Sequence, residues 1–358
     1  MRIGLDLGYP TDVEAVDATL GLATDAENLG FDVLWVAEAY GADGVSMLGA
    51  LAARTGRIGI GSAVMQIPAR TPAMTGMTAV TLDALSHGRF RLGLGVSGPQ
   101  VSEGWHGVGF ADPLGRTREY IGIVRDVIGR KRVTADGRHF TLPLPGGQGK
   151  PLALAMQPVR RTIPLLLAAV GPKNLDLAAE IADGWLGFFV DPLSDPASGP
   201  IARLRAGLTA AGRDPDSFDV NVSLPVSIDD DLERAADRVR PHAALYIGGM
   251  GSRKTNFYHG VAASLGYERE ADDVQNRYLA RDYAGAAAAV PTEFLNRVAL
   301  LGDESSIAAR LRALSAAGVS TANVQPFGDV PAERAEILAA VARAAEAAGV
   351  RATAGAAR

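Results

Sequence analysis

FRLGLGVSGPQVSEGW, residues 90–105, is the stretch around which the rest of the chain is organised. Apolar residues alternate there with Arg91, Gly93 and Gly95, which is the two-residue period of a strand with two different faces. The glycines leave one face bare, so that either a neighbouring element packs closely or a flat ligand lies against the backbone. The Ser-Gly-Pro sequence at residues 97–99 then ends the strand.

Gly93, Gly95 and Gly98 also match the G-x-G-x-x-G pattern of dinucleotide-binding folds. That fingerprint requires a helix opening at the third glycine and an acidic residue about 20 positions later, at the end of a second strand. Residues 99–115 contain four further glycines and a second proline. We therefore reject the nicotinamide-dinucleotide interpretation and predict a long loop, of the kind that carries functional residues at strand ends.

Apolar strands and amphipathic helices alternate on both sides of this stretch. We predict strands at residues 2–8, 31–37, 57–65, 90–96, 163–170, 185–190, 219–228 and 319–325. Such alternation indicates right-handed βαβ units around a parallel sheet. Eight strand-helix pairs predict an α/β fold of the (β/α)8 TIM-barrel type.

One segment is too long for a single connection of the barrel. Residues 240–300 hold helical stretches at residues 258–265 and 272–283, and we expect them to form a helical insertion that caps the barrel mouth before the last strand. We predict a single barrel domain over residues 1–348 and a flexible tail at residues 349–358.

Composition narrows the possible functions. The chain has 358 residues, of which 47% are apolar, so that it can bury a large core. A net charge of -5 gives no electrostatic footprint for nucleic acid or an anionic membrane. The chain contains no cysteine, which excludes a disulfide, a thiolate metal site and a thiol nucleophile. With no signal-peptide pattern and no long apolar run, we expect a cytoplasmic protein.

Functional residues of a barrel lie at the carboxyl ends of its strands. Residues 169–174, AVGPKN, favour a binding site there: a buried strand ends at Val170, Gly171 permits close approach to the backbone, and Pro172 suits a first helical position. The exposed amides of the next helix, together with Lys173, form a site for an anion. The alternative is an ordinary strand-to-helix turn with a solvated lysine.

Several short motifs in one order resemble the bacterial luciferase-like barrels, and within them the branch that uses the deazaflavin coenzyme F420. The motifs are GSAVMQ at residues 61–66, SHGR at 86–89, LGLGVSG at 92–98, AVGPKN at 169–174 and ADGW at 182–185. Residues 245–261 resemble the capping insertion of one actinobacterial-type subgroup. The resemblance covers nearly the whole chain.

The resemblance implies an F420-dependent oxidoreductase, in which hydride passes between C5 of the deazaflavin and a small organic substrate. It also implies a homodimer formed through helices near the second and third strands. Two alternatives stay open, an FMN-dependent monooxygenase on the same fold and a non-catalytic F420-binding protein. Reduction of an enone, imine or carbonyl compound is a guess by elimination.

The resemblance also implies which residues contact the cofactor. A non-proline cis peptide in a bulge of the third strand, at Ala63-Val64, is expected to back the central ring, and Glu38 to touch the ring system. Residues 170–174 are expected to hold the cofactor's phosphate. The complete predicted set is Glu38, Ala63, Val64, Gly95, Ser97, Gly98, Val170, Gly171, Pro172, Lys173 and Asn174.

Three residues are candidates for proton transfer. Glu38 ends the second strand, while Glu103 and His106 lie on the loop after the fourth strand, where a carboxyl group in a dry pocket or a histidine suits acid-base work. A merely structural role is open for each. Ala39 stands where a related sugar-phosphate dehydrogenase branch has a histidine base, which argues against oxidation of a sugar alcohol.

Aromatic residues near the strand ends and the histidines are the remaining candidates for functional residues. Tyr9, Tyr40 and Trp105 are candidates for the walls of a substrate pocket. The histidines show no metal-ligand spacing, and the sequence contains neither an HExxH motif nor a nucleophile elbow, so that we predict no metal site.

Overall fold

The computed structural model describes residues 1–253, 256–328 and 330–350. Eight parallel strands form a closed barrel in which each strand pairs with the next and the last pairs with the first. The strands are β1 (Arg2–Asp6), β2 (Val33–Val36), β3 (Gly59–Ser62), β4 (Phe90–Gly95), β5 (Leu165–Ala168), β6 (Gly184–Phe188), β7 (Asp219–Ile228) and β8 (Thr321–Pro326). The predicted TIM barrel is confirmed.

Helices surround the barrel. Those before the insertion are α1 (Val13–Asn28), α2 (Gly44–Arg54), α3 (Pro72–Leu85), α4 (Pro99–Ser102), α5 (Pro113–Ile128), α6 (Pro172–Ile181) and α7 (Pro200–Ala210). After the insertion come α13 (Glu304–Ala316) and α14 (Pro331–Ala347). Local signals set these boundaries: the Thr71 side chain caps α3 by accepting from the Met74 amide at 3.3 Å, and Pro72 occupies its first position.

The predicted helical insertion lies between β7 and β8 and has its own small core. It consists of α8 (Leu232–Ala244), a π-helical turn (Leu245–Gly249), α9 (Phe257–Ser264), α10 (Glu268–Leu279), α11 (Tyr283–Ala288) and α12 (Thr292–Val298). A short strand, Leu300–Gly302, then pairs with the end of β7 and returns the chain to the barrel.

Side chains inside the barrel form layers, as the two-residue period of the strands requires. At the amino end, Asp219 forms ion pairs with Arg2 (2.5 Å) and Arg91 (2.7 Å). In the middle, the fully buried Trp35 donates from Nε1 to Asn323 Oδ1 at 2.8 Å. A Cβ atom on Gly61 would overlap the Trp35 ring, so that this glycine makes room for the indole.

The loop prediction for residues 99–115 was partly wrong. The one-turn helix α4 opens directly after Gly98, because Pro99 suits a first helical position. The turn ends at Ser102 and irregular backbone continues to Asp112, so that a long helix of the dinucleotide-binding kind does not follow. Residues 135–142 also form a small hairpin, Ala135–Asp136 with Thr141–Leu142, that we did not predict.

The last described residues pack against the start of the chain. Val350 is buried, and its carbonyl accepts a hydrogen bond of 3.0 Å from the amino group of Met1. The remainder of the predicted tail, residues 351–358, lies outside the described residues. Within the described ranges, no helix is both long enough and apolar enough to cross a membrane.

Candidate active site

A cavity of about 940 Å³ opens at the carboxyl ends of the strands, under residues of the insertion. The interior layer at the carboxyl ends of the strands does not fill the barrel mouth, because it contains small side chains such as Ala37, Ala63 and Ala168. The cavity lining includes every residue predicted to contact the cofactor: Glu38, Ala63, Val64, Gly95, Ser97, Gly98, Val170, Gly171, Pro172, Lys173 and Asn174.

One wall is formed by β4 and the segment after β3. The Ala63-Val64 peptide bond is cis, as the resemblance implies. A Cβ atom on Gly95 would lie 2.5 Å from Val64 Cγ2, so that only glycine lets β4 pass this close to the valine. Gly93, lower in the same strand, is packed against the Ser62 carbonyl, and the bare face of β4 therefore serves close packing at Gly93 and lines the cavity at Gly95.

The neighbouring part of the wall, after β5, contains the amino end of α6. The N-cap residue Gly171 supplies no side-chain hydrogen bond to the first turn, and a Cβ atom built on it would meet no atom of the described residues within 4 Å. Asn174 donates from Nδ2 to the Ala168 carbonyl at 3.3 Å, while its Oδ1 is buried without a hydrogen-bond partner in the described structure. This helix end, with Lys173 beside it, combines a positive dipole, a cation and open backbone.

Glu38 lines the cavity, but its carboxylate is already engaged. It accepts hydrogen bonds from Arg70 Nη1 (2.5 Å) and Nη2 (2.7 Å), and from the amides of Gly44 (3.2 Å) and Gln66 (3.3 Å). The hydrogen bond with Glu38 raises the pKa of Arg70. Both side chains are largely buried, so that this pair is a fixed part of the wall.

The other two predicted acid-base residues do not line the cavity. Glu103 is exposed, and its Oε1 accepts from the Phe110 amide at 3.0 Å. His106 Nε2 lies 2.7 Å from Oε1 of Gln66, which does line the cavity. Trp105, a candidate for the pocket wall, is 66% exposed and also lies outside the lining, whereas Tyr9 and Tyr40 are part of it.

Sequence reasoning missed Asp6, the last residue of β1. Its side chain is buried, lines the cavity and accepts a hydrogen bond from the Gly8 amide at 3.0 Å. Burial raises the pKa of Asp6, and hydrogen bonds from Gly8 and Ser223 offset part of that rise. Gly4, at which a Cβ atom would overlap the interior Asn323 side chain, lies two positions earlier in β1, so that the two-residue period places Asp6 on the same interior face.

The insertion adds an aromatic roof, which we also missed. Rings of Tyr246 and Tyr258 lie 4.9 Å apart, and Tyr246 is 4.7 Å from Phe188 of β6 and 4.8 Å from His242. Burial raises the pKa of Tyr258 to about 12 and the pKa of Tyr246 well above its ordinary value. Burial lowers the pKa of His242 to about 4, so that this ring is neutral near pH 7.

The comparisons with known proteins agree with this architecture. A family model described as luciferase-like monooxygenase matches residues 1–321. The chain belongs to the luciferase-like monooxygenase family. Among the described residues, this family member has no group of three His, Cys, Asp or Glu side chains that could hold a metal ion.

Relatives within the family point to one group of members. The chain is 40% identical to the "Putative coenzyme F420-dependent oxidoreductase Rv3520c" of Mycobacterium tuberculosis, over 89% of this chain and 93% of that protein. It is 31% identical to a 5,10-methylenetetrahydromethanopterin reductase of Archaeoglobus fulgidus, over 82% of this chain and 85% of that protein.

A solved structure shares the fold. The coenzyme F420-dependent tetrahydromethanopterin reductase from Methanopyrus kandleri superimposes with a TM-score of 0.78 and covers 96% of this chain and 97% of its own. At 22% identity, this likeness supports the barrel architecture and no finer conclusion.

Proposed function

We propose that this protein is a coenzyme F420-dependent oxidoreductase that transfers hydride between C5 of the deazaflavin and a small organic substrate. The observation that carries the proposal is the pairing of two walls in one cavity. A bare strand face lies at Gly95 and Val64, and an uncapped helix end lies beside Lys173. The relatives named for F420 in M. tuberculosis and elsewhere support the choice of cofactor.

The residues fit such a group. A flat ring system suits the wall at Ala63, Val64 and Gly95, which presents a small side chain, a valine and bare backbone. A phosphate suits residues 170–174, where Gly171 leaves space and the α6 dipole and Lys173 supply positive charge. The buried, unpartnered Oδ1 of Asn174 accepts a donor from the ligand.

The bound deazaflavin supplies the hydride chemistry, since it has carbon where a flavin has N5. The protein then has to bind the cofactor, orient it, keep water away and move a proton. We assign Glu38 a structural role in the ring-binding wall, because Arg70 already pairs with its carboxylate.

Three residues are compared as the group that transfers the proton. His106 reaches the cavity through Gln66, and Glu103 is exposed, so that geometry supports His106 more than Glu103. Asp6 joins them as a candidate, because it is buried at the cavity wall and burial favours its protonated form. Its carboxyl group can exchange a proton with a substrate without leaving the cavity.

We also propose a homodimer, formed by helices around the second and third strands. The exposed apolar side chains Met74, Met77 and Leu85 support this, because they lie on α3, the helix that follows β3. Analytical ultracentrifugation of the purified protein tests the proposal, with Met77→Asp expected to shift a dimer towards monomer.

A small-molecule substrate is the other partner proposed, and a cytoplasmic location stays a prediction of the sequence.

The experiment that tests the function is a titration of the purified protein with F420 and, separately, with FMN. Quenching of Trp35, Trp105 and Trp185 fluorescence reports binding. We expect tight binding of F420 and weak binding of FMN. The reverse order would favour an FMN-dependent monooxygenase, while tight F420 binding without turnover on any substrate would favour a non-catalytic F420-binding protein.

A further inference from the structure

The aromatic roof and the segment after β1 both bring phenol side chains to the cavity. Tyr246 and Tyr258 of the roof line it, and so does Tyr9, which follows β1. Tyr246 is close enough to Tyr258, Tyr9 and Asp6 for their charges to raise its pKa. The phenols are therefore protonated near pH 7, and the cavity wall carries three neutral hydrogen-bond donors.

Charge in this part of the cavity disfavours an anionic ligand. Among the described lining residues, Lys173 is the one lysine or arginine, and it lies on α6, the helix after β5. The carboxyl group near the tyrosines is Asp6, which offers an anion no positive charge in either protonation state. Asp6 also holds a cation poorly, because it already accepts hydrogen bonds from Gly8 and Ser223 and burial favours its neutral form.

The body of the ligand would face apolar surface. Phe188 and Tyr246 lie 4.7 Å apart between ring centroids, and both contribute to the lining together with the partly exposed Phe257. Rings of this kind bind flat, apolar groups through their faces and edges. The phenol hydroxyls of Tyr246 and Tyr258 add hydrogen-bond donors to this apolar surface.

We propose that the space between β1 and the aromatic roof is the substrate subsite, and that it takes an uncharged molecule with a flat apolar body and a carbonyl oxygen, to which Tyr246 and Tyr258 donate hydrogen bonds. The role of this ligand as the hydride acceptor rests on the proposed function. Reduction would break the π bond of the carbonyl group, or of the double bond conjugated with it, by adding a hydride from the reduced deazaflavin to one end and a proton from the carboxyl group of Asp6 to the other. The deazaflavin loses two electrons and the substrate gains two.

The test is a binding measurement on the full chain without F420. Isothermal titration compares 2-acetylnaphthalene with 2-ethylnaphthalene, 2-naphthoate and 2-naphthylmethylammonium, which share the ring system and differ in the polar group. We expect the ketone to bind at least tenfold more tightly than the other three. In the Tyr246→Phe/Tyr258→Phe double variant, the ketone should bind about tenfold more weakly and the hydrocarbon within twofold of the original protein.

Tyr283→Phe is the matched control, because Tyr283 is exposed on α11 and does not line the cavity. It should change no affinity. The inference is overturned when the ketone does not bind, when the naphthoate or the ammonium compound binds as well as the ketone, or when the double variant weakens ketone and hydrocarbon equally. Because F420 is absent from this measurement, its result is independent of the F420 titration that tests the proposed function.

Discussion

Arg70 donates two hydrogen bonds, of 2.5 and 2.7 Å, to the carboxylate of Glu38 in the wall of the cavity. The two residues are 32 positions apart, and the pair joins the end of β2 to the segment before α3. The side chain of Arg70 is 17% exposed and that of Glu38 is 8% exposed, so that either residue without the other would be a poorly solvated charge.

Replacing Arg70 with methionine should therefore destabilise the protein by about 3 kcal/mol, because a buried carboxylate loses its partner. Urea unfolding at pH 7 measures the change. The Glu38→Gln/Arg70→Met double variant, which removes both charges, should recover more than half of the lost stability. A loss below about 1 kcal/mol in the single variant would show that solvent replaces Arg70.

Gly95→Ala should weaken F420 binding at least tenfold. The added methyl would lie 2.5 Å from Val64 Cγ2, and the valine would have to move towards the ring-binding space. Gly122→Ala on α5 is the control, since a Cβ there meets nothing within 4 Å and should leave F420 affinity unchanged. Unchanged affinity in Gly95→Ala would place the ring elsewhere.

Lys173→Gln should weaken F420 binding about tenfold at low salt, with a smaller effect at high salt because ions screen the charge. Binding of a phosphate-free 5-deazariboflavin should change less than twofold. Lys131→Gln serves as the control, because Lys131 is paired with Asp126 at 2.7 Å and does not line the cavity. Equal losses for both ligands would argue against a phosphate at α6.

Asp6→Asn should lower turnover about 100-fold and change F420 affinity little, if Asp6 moves the proton. Stability gives a second measurement. Because burial raises the pKa of Asp6 above 3.8, its contribution to stability is full below that value and is lost as pH rises through the folded pKa. The variant should therefore gain stability relative to the original protein between pH 4 and pH 8. Turnover within threefold of the original would exclude Asp6 as the proton donor.

The lowered pKa of His242 predicts that the protein loses stability in acid. Its pKa falls from 6.5 to about 4 on folding, so that the unfolded chain binds the proton more tightly. Stability should be complete above pH 6.5 and decline as pH falls towards 4, by about 2 to 3 kcal/mol from this group at pH 4.5. His242→Phe should remove that decline, as measured by urea unfolding at pH 7.5 and 4.5. Parallel curves for both proteins over this range would contradict the prediction.

The barrel could be predicted because its signals are local. Alternating apolar residues, proline at helix starts and glycine after helix ends act within a few residues of each other, and the order of strands follows from the right-handed connection rule. Motifs around Ala63, Gly95 and Gly171 likewise lie at strand ends, which a barrel brings to one mouth. Their place in the cavity lining agrees with that expectation.

Only the tertiary structure decided which acidic and aromatic groups meet. Asp6 faces the cavity and Glu103 faces solvent, although both stand near strand ends in the sequence. The path of the loop after β4 and the position of the insertion decide this, and neither follows from a local period. Tyr246 reaches Phe188 across 58 positions of chain because the insertion folds back over the barrel, a long-range contact that depends on packing and not on local sequence.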